Sequence, residues 1–238
     1  MRLDKYLVDC GVGSRTEVKQ VLKQKKIQVN GKVETSAKVH IDPDKDQVTY
    51  LGESLFHEEF VYYLLNKPKG VISATEDDHH QTVLDLLDDT ARHKEVFPVG
   101  RLDIDTEGLL LLTNDGILSH NLLSPKKHVD KKYYVKIANP LTEEDIKTLE
   151  NGIKLEENFI TKNAKVEIIC NNSENNEYLA YITISEGKFH QVKRMFKAVD
   201  NEVLYLKRMK MGNLLLDENL KLGEYRELTA EELDSLKV

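Results

Sequence analysis

Apolar residues recur at helical spacing near the start of the chain and give way to short β-type runs further along. In "GSRTEVKQVLKQ", Val18, Val21 and Leu22 define one apolar helical face, and Ser14 with Glu17 has capping-box spacing, so a helix is predicted from about residue 15. Next comes "IQVNGKVE", two β-type runs around Asn-Gly, the signal of a type I′ hairpin. A helical pair followed by a hairpin makes a compact unit of about 50 residues. "GESLFHEEF" (52–60) reads as a joint, which predicts a first domain over 1–56 and a second over 57–238. In the second, "FVYYLLN", "GLLLLTN", "KKYYVKIA" and "EYLAYITISE" have strand composition and are bounded by turn formers. Helical patterns fall between and after them, in "TVLDLLDD", "TEEDIKTLENG", "FHQVKRMFKAV" and, behind a Thr229/Glu232 capping box, "AEELDSLK". Strands and helices do not alternate regularly. The expected fold class is therefore α+β, a small α/β domain followed by one built on a mixed, largely antiparallel sheet with flanking helices. No internal repeat or low-complexity segment interrupts the chain.

Charge changes this picture more than composition does. The net charge is −7, yet residues 1–40 hold nine Lys or Arg against four acids. Two further basic islands lie at 126–136 and 187–210, so three patches on an acidic chain point to nucleic acid. Arg15, Lys19, Lys23 and Lys26 fall on one helical side, where like charges repel by roughly 0.2–0.5 kcal/mol per pair unless a phosphate backbone relieves them. A solvated lysine face is the alternative. Cys10 and Cys170 are too few and too far apart for a zinc site or a disulfide scaffold and read as free thiols. With no apolar run of about 18 residues and no signal-peptide core, a cytoplasmic protein without membrane contact is expected.

The stretch "GRLDIDTEGLLLLTNDG" (100–116) concentrates the candidate chemistry. From Asp103 it matches the first six positions of an EF-hand loop, but Asn114 stands twelfth where a bidentate Glu is needed, and leucines fill positions seven to ten. No metal is expected. The leucines read as a buried strand, with "RLDIDTEG" as the turn entering it. At this point Asp103 and Asp105 read either as turn caps or as carboxylates held at a pocket edge.

That stretch resembles the signature of the RsuA family of ribosomal RNA pseudouridine synthases, in which the aspartate of the G-R-L-D box, Asp103 here, is catalytic. "LNKPKGVIS", "KKYYV", "EGKFHQVKRMF" and "GEYRELTAEEL" resemble further family motifs in the same order. The first 48 or so residues resemble the S4 RNA-binding domain that precedes the catalytic domain in that family, through "RLDKYL", "GSRTEVKQVL" and "VNGK". The resemblance implies an isomerase that breaks the uridine N1–ribose bond, turns the base and rejoins it through carbon, with no cofactor. It implies that Lys193 pairs with Asp103, that Arg101 helps hold RNA with the base extruded, that Tyr133 stacks on the base and that Ile184 lines the pocket. Asp105 and Glu107 are left as turn or supporting groups, and His190 as structural or an RNA contact.

Periodicity places Phe189, Val192, Phe196 and Val199 on one buried stripe, with Lys193 beside it, and strand alternation sends Tyr133, Val135 and Ile137 to one face. Candidate RNA contacts are Arg2, Lys5, Arg15, Lys19, Lys23, Lys26, Lys32, Lys131 and Arg194. The expected partner is ribosomal RNA, 16S rather than 23S from the C-terminal motif and the Lys of "HQVKRM", met by a monomer on a subunit assembly intermediate. Two other readings stay open: an RNA-binding assembly factor without catalysis, and a metal-dependent hydrolase built on the acidic cluster.

Overall fold

The computed structural model describes residues 1–57, 60–157, 159–172, 175 and 177–237. The chain divides into two compact units, Met1–Val61 with Leu87–Val96, and Tyr62–Leu86 with Phe97–Val238.

The first unit opens with α1 (Leu3–Asp9) and α2 (Arg15–Lys23). Ser14 and Glu17 form the predicted capping box on α2, a device whose loss typically costs about 1 kcal/mol. Val18 and Leu22 turn inward to meet Leu3, Tyr6, Leu7, Ile27 and Val48, while Lys19 and Lys23 stay exposed. Then come β1 (Ile27–Val29), β2 (Lys32–Val33), β3 (Val48–Tyr50) and β4 (Glu53–Ser54), paired in the order β2-β1-β3-β4. The β1–β2 turn has Asn30 and Gly31 at φ 50° and 76°, the two left-handed positions of a type I′ turn. The predicted joint is more structured than its composition suggests. Glu53 and Ser54 pair with β3, and His57 stacks on Tyr6, while Glu58 and Glu59 lie outside the described residues. A short α3 (Asp89–His93) completes this unit.

The second unit runs through β5 (Tyr62–Lys67), a 3-10 turn at Val83–Leu86, β6 (Phe97–Pro98), β7 (Glu107–Thr113), α4 (Gly116–Leu123), β8 (Lys131–Ile137) and α5 (Glu143–Glu150). It continues with β9 (Lys154–Glu156), β10 (Phe159–Ile160), β11 (Lys165–Asn172), β12 (Glu177–Ile184), α6 (Gln191–Lys197), β13 (Val203–Met211), β14 (Leu214–Leu215), β15 (Tyr225–Glu227) and α7 (Ala230–Leu236). The main sheet has the order β11-β12-β8-β13-β7-β5-β15, with β14 on β13 and β6 on β7. Its pairings are antiparallel except β13 with β7, so the mixed, largely antiparallel sheet is present. Leu109 to Leu112 of β7 are all fully buried, Leu109 and Leu111 against α4 and α7. At the parallel junction Gly108 has φ 99°, and a Cβ there would meet the Arg208 carbonyl oxygen at 2.3 Å, so only glycine lets β7 and β13 approach.

Two predicted helices differ. "TVLDLLDD" forms only the 3-10 turn, because Asp85 bonds Thr82 and Asp88 caps the separate α3. The "FHQVKRMFKAV" helix begins at Gln191, and Phe189 is 68% exposed rather than part of a buried stripe, because His190 takes left-handed backbone angles that turn the chain before the helix starts.

Candidate active site

The loop between β6 and β7 carries Arg101, Asp103 and Asp105, and its backbone is tied down from the side of β5. Lys67 closes β5 with no exposed surface, and its Nζ donates to the carbonyls of Pro68, Asp103 and Thr106 at 2.9, 3.2 and 3.0 Å. Burial, partly offset by the charges of Asp103, Asp105 and Glu107, pushes the Lys67 ammonium down to about 8. The Ser73 hydroxyl donates to the Leu102 carbonyl and accepts the Leu102 N–H, both at 3.0 Å. The Gly70 N–H donates to the Ile104 carbonyl at 2.7 Å. A turn fixed at these points keeps the Asp103 side chain at the edge of the core, 25% exposed.

Across from it, α6 presents Lys193, whose Nζ lies 3.2 Å from Asp103 Oδ2 and bonds the Asp105 carboxylate as well. Partial burial would raise the Asp105 carboxyl, but the hydrogen bond and charge of Lys193 outweigh it and hold this group below the ordinary aspartate range. His190 Nε2 stands 3.6 Å from Asp103 Oδ1. Glu107 is buried and accepts a hydrogen bond from the Tyr205 hydroxyl at 2.6 Å, which makes it a supporting group of the sheet rather than a cleft residue.

One cleft of about 420 Å³ gathers Arg101, Asp103, Tyr133, Ile184 and Lys193, the five residues singled out from the sequence. Tyr133 is 7% exposed and shares its strand face with Val135 and Ile137, as alternation requires. Arg101 is exposed at the rim and, among the described residues, makes no ion pair with Asp103. Geometrically the arrangement offers a carboxylate beside a lysine ammonium, facing an aromatic ring in a cleft open to solvent. Among the described residues no group of three or more His, Cys, Asp or Glu is arranged to hold a metal ion.

Lys67, Ser73 and Thr106 were not singled out from the sequence. The Thr106 side-chain oxygen is buried at the cleft with no hydrogen-bond partner among the described residues. Only the neighbourhood of Lys67 and Ser73 in "LNKPKGVIS" hints at their use, because a buried lysine bonded to carbonyls 36 and 39 positions away leaves no periodic trace.

The candidate RNA contacts divide. Arg2, Lys5, Arg15, Lys19, Lys23, Lys26 and Lys32 are exposed on the first unit, with Arg2 paired to Asp4. Lys5 and Arg15 also line a hollow with Arg92 and His93, residues outside the basic islands seen in the sequence. Lys131 is a correction. It is only 7% exposed, its Nζ donates to the Val129 carbonyl at 2.8 Å, and burial pushes it down to about 8, so it is not positioned for a phosphate. Arg194 is likewise engaged within the protein, with Glu156 at 2.7 Å and the Leu155 carbonyl at 3.3 Å.

Comparison with known proteins adds independent findings. The family model described as RNA pseudouridylate synthase matches residues 61–198, and the S4 domain matches residues 1–48. An "Uncharacterized RNA pseudouridine synthase YtzG" of Bacillus subtilis is 55% identical, covering 99% of this chain and 98% of its own. A "Ribosomal small subunit pseudouridine synthase A" of Yersinia pestis is 40% identical over 99% of this chain and 98% of its own. A "Ribosomal large subunit pseudouridine synthase B" of Bacillus subtilis is also 40% identical, over 99% of this chain and 95% of its own. Among solved structures, one titled "Crystal structure of pseudouridylate synthase" shares 39% identity at a TM-score of 0.69, covering 99% of both chains.

Proposed function

Because the chain belongs to the RNA pseudouridylate synthase family with an S4 domain ahead of it, we propose that it isomerises one particular uridine of ribosomal RNA, in the 16S molecule, with Asp103 as the catalytic carboxylate. The observation that carries this reading is the Asp103 carboxylate, 3.2 Å from the Lys193 ammonium, in one cleft with Tyr133. A nearby cation favours the charged form of a carboxylate, the form that can engage the nucleotide. The N1–C1′ bond breaks and leaves its electron pair on N1, the base turns, C5 bonds to C1′, the hydrogen on C5 leaves as a proton, and N1 takes up a proton. Atoms and electrons balance without an oxidant, a metal or a cofactor. Tyr133 and Ile184 hold the extruded base, since a duplex uridine must leave its stack to be reached, and Arg101 at the rim holds the RNA in that state.

Residues 1–56 act as the S4-like RNA-binding domain, through the exposed Arg2, Lys5, Arg15, Lys19, Lys23, Lys26 and Lys32, and residues 57–238 as the catalytic domain. The protein works as a monomer in the cytoplasm on a subunit assembly intermediate. The 16S assignment follows "GEYRELTAEEL", the Lys of "HQVKRM" and the name of the Yersinia pestis relative. The equally identical Bacillus subtilis relative named for the large subunit supports 23S rRNA as the second reading. Chemical mapping of pseudouridine over both rRNAs, from cells with and without the gene, decides between them. A single 16S position absent without the gene, restored by wild type and not by Asp103→Asn, is the expected result. Identical maps would end the isomerase reading, and restoration by Asp103→Asn would favour the non-catalytic assembly factor.

A further inference from the structure

We propose that Phe189 and His190 form a nucleobase-stacking subsite at the mouth of the Asp103 cleft, which takes the base next to the target uridine once that uridine has left its helix. The proposal rests on the isomerase reading. The two rings lie nearly parallel, 18° apart, with centroids separated by 3.7 Å. That spacing is close to the roughly 3.4 Å repeat along a nucleic-acid strand. Its inner member lies beside the reacting centre, with His190 Nε2 3.6 Å from Asp103 Oδ1. Its outer member, Phe189, is 68% exposed. One phenyl face is covered by the imidazole, and the ring is otherwise largely open to solvent.

The turn that displays the ring is built and anchored. His190 has φ 49° and ψ 32°, left-handed backbone angles that residues other than glycine adopt infrequently and that persist where surroundings enforce them. Gln191, 3% exposed, enforces them from beneath: its side-chain oxygen accepts the Lys188 N–H at 2.9 Å and its amide donates to Glu186 at 2.7 Å. The Arg194 guanidinium donates to the Phe189 carbonyl at 3.4 Å. A helix that simply continued back through Phe189 would have buried the ring in its apolar stripe; this turn presents it outward instead.

Charge selects the occupant. Arg101 and Lys188 line the cleft mouth, which suits the phosphates on either side of an extruded nucleotide. Extrusion strips a stacking partner from the adjacent base, and an aromatic platform beside the gap replaces it whatever the identity of that base.

The test is a double-mutant cycle on a synthetic RNA carrying the mapped uridine. Isomerisation is followed at limiting RNA for wild type, Phe189→Ala, Phe189→Leu and Phe189→Tyr. Each protein meets intact RNA and RNA lacking the base on the 5′ or the 3′ side of the target. Stacking of one base predicts that Phe189→Ala and Phe189→Leu lower kcat/KM by about 5- to 150-fold, with Phe189→Tyr close to wild type and all melting temperatures unchanged. One of the two abasic RNAs should slow wild type by a similar factor and slow Phe189→Ala no further. Phe189→Ala matching wild type, or abasic losses of equal size in both proteins, would overturn the subsite while wild-type activity left the isomerase reading standing. An intact RNA that wild type leaves unmodified both free and assembled into the subunit intermediate would overturn both.

Discussion

Asp103 and Asp105 are separated by a single residue, yet they meet Lys193 from two sides, so one ammonium serves two carboxylates. Replacing Asp103 by asparagine keeps its size and removes its charge. Tritium release from rRNA labelled at uridine C5 should then fall by at least roughly 10³-fold with the melting temperature unchanged, the scale expected when a group central to the chemistry is lost. Residual activity within tenfold of wild type would remove Asp103 from the chemistry. Lys193→Met keeps the packed stem and leaves both carboxylates without their ammonium. Charge-assisted hydrogen bonds contribute about 1.5–3 kcal/mol each, so kcat should drop roughly 10- to 150-fold, with Lys193→Arg recovering most of it. If Lys193→Met kept its kcat and raised only KM, the lysine would be an RNA contact instead.

At the scale of elements, the decisive contact is the end of β5 against the turn before β7, where Lys67 donates to three carbonyls. Its folded value of about 8 is depressed, so the fold carries the cost of a buried ammonium below pH 8 and sheds it as pH rises toward the unfolded value near 10.4. The unfolding free energy of wild type should gain on that of Lys67→Met by up to about 3 kcal/mol across that window, measured as urea midpoints. A constant difference would mean that this amine is solvated. Contacts of this kind explain what could be read from the sequence. The capping boxes at Ser14/Glu17 and Thr229/Glu232 and the Asn30-Gly31 turn were legible because both partners sit within three residues. The gathering of Asp103, Tyr133 and Lys193 was legible only through ordered motifs, since β7, β8 and α6 meet through long-range pairing. Strand β13 was missed because Lys207, Arg208 and Lys210 break its apolar pattern, although Arg208 is in fact 2% exposed and bonded to the Leu109 carbonyl. Helix α4 was missed because Asp115 in "NDG" reads as a turn residue, whereas its carboxylate caps the helix by accepting the N–H groups of Ile117 and Leu118.

Over the whole molecule, sign of charge is sorted along the chain: nine Lys or Arg against four acids in residues 1–40, within a total of −7. An acidic body repels RNA in general, while a basic N-terminal unit attracts it, so the expectation to be tested is that binding depends on exposed lysines that salt screens. Lys19 and Lys23 suit a test because both are exposed on α2, beside the face that buries Val18 and Leu22, and neither belongs to the Asp103 cleft. Each phosphate neutralised along a single-stranded segment contributes about 0.7 to the slope of log K against log salt. Changing both lysines to glutamine should therefore make the slope shallower by about 1.4 and weaken binding, while kcat at saturating rRNA stays at the wild-type level. A slope that does not move would take the α2 lysines off the phosphate backbone. A fall in kcat with unchanged affinity would assign them to the chemical step, which a helix that contributes no residue to the lining of the Asp103 cleft gives no reason to expect.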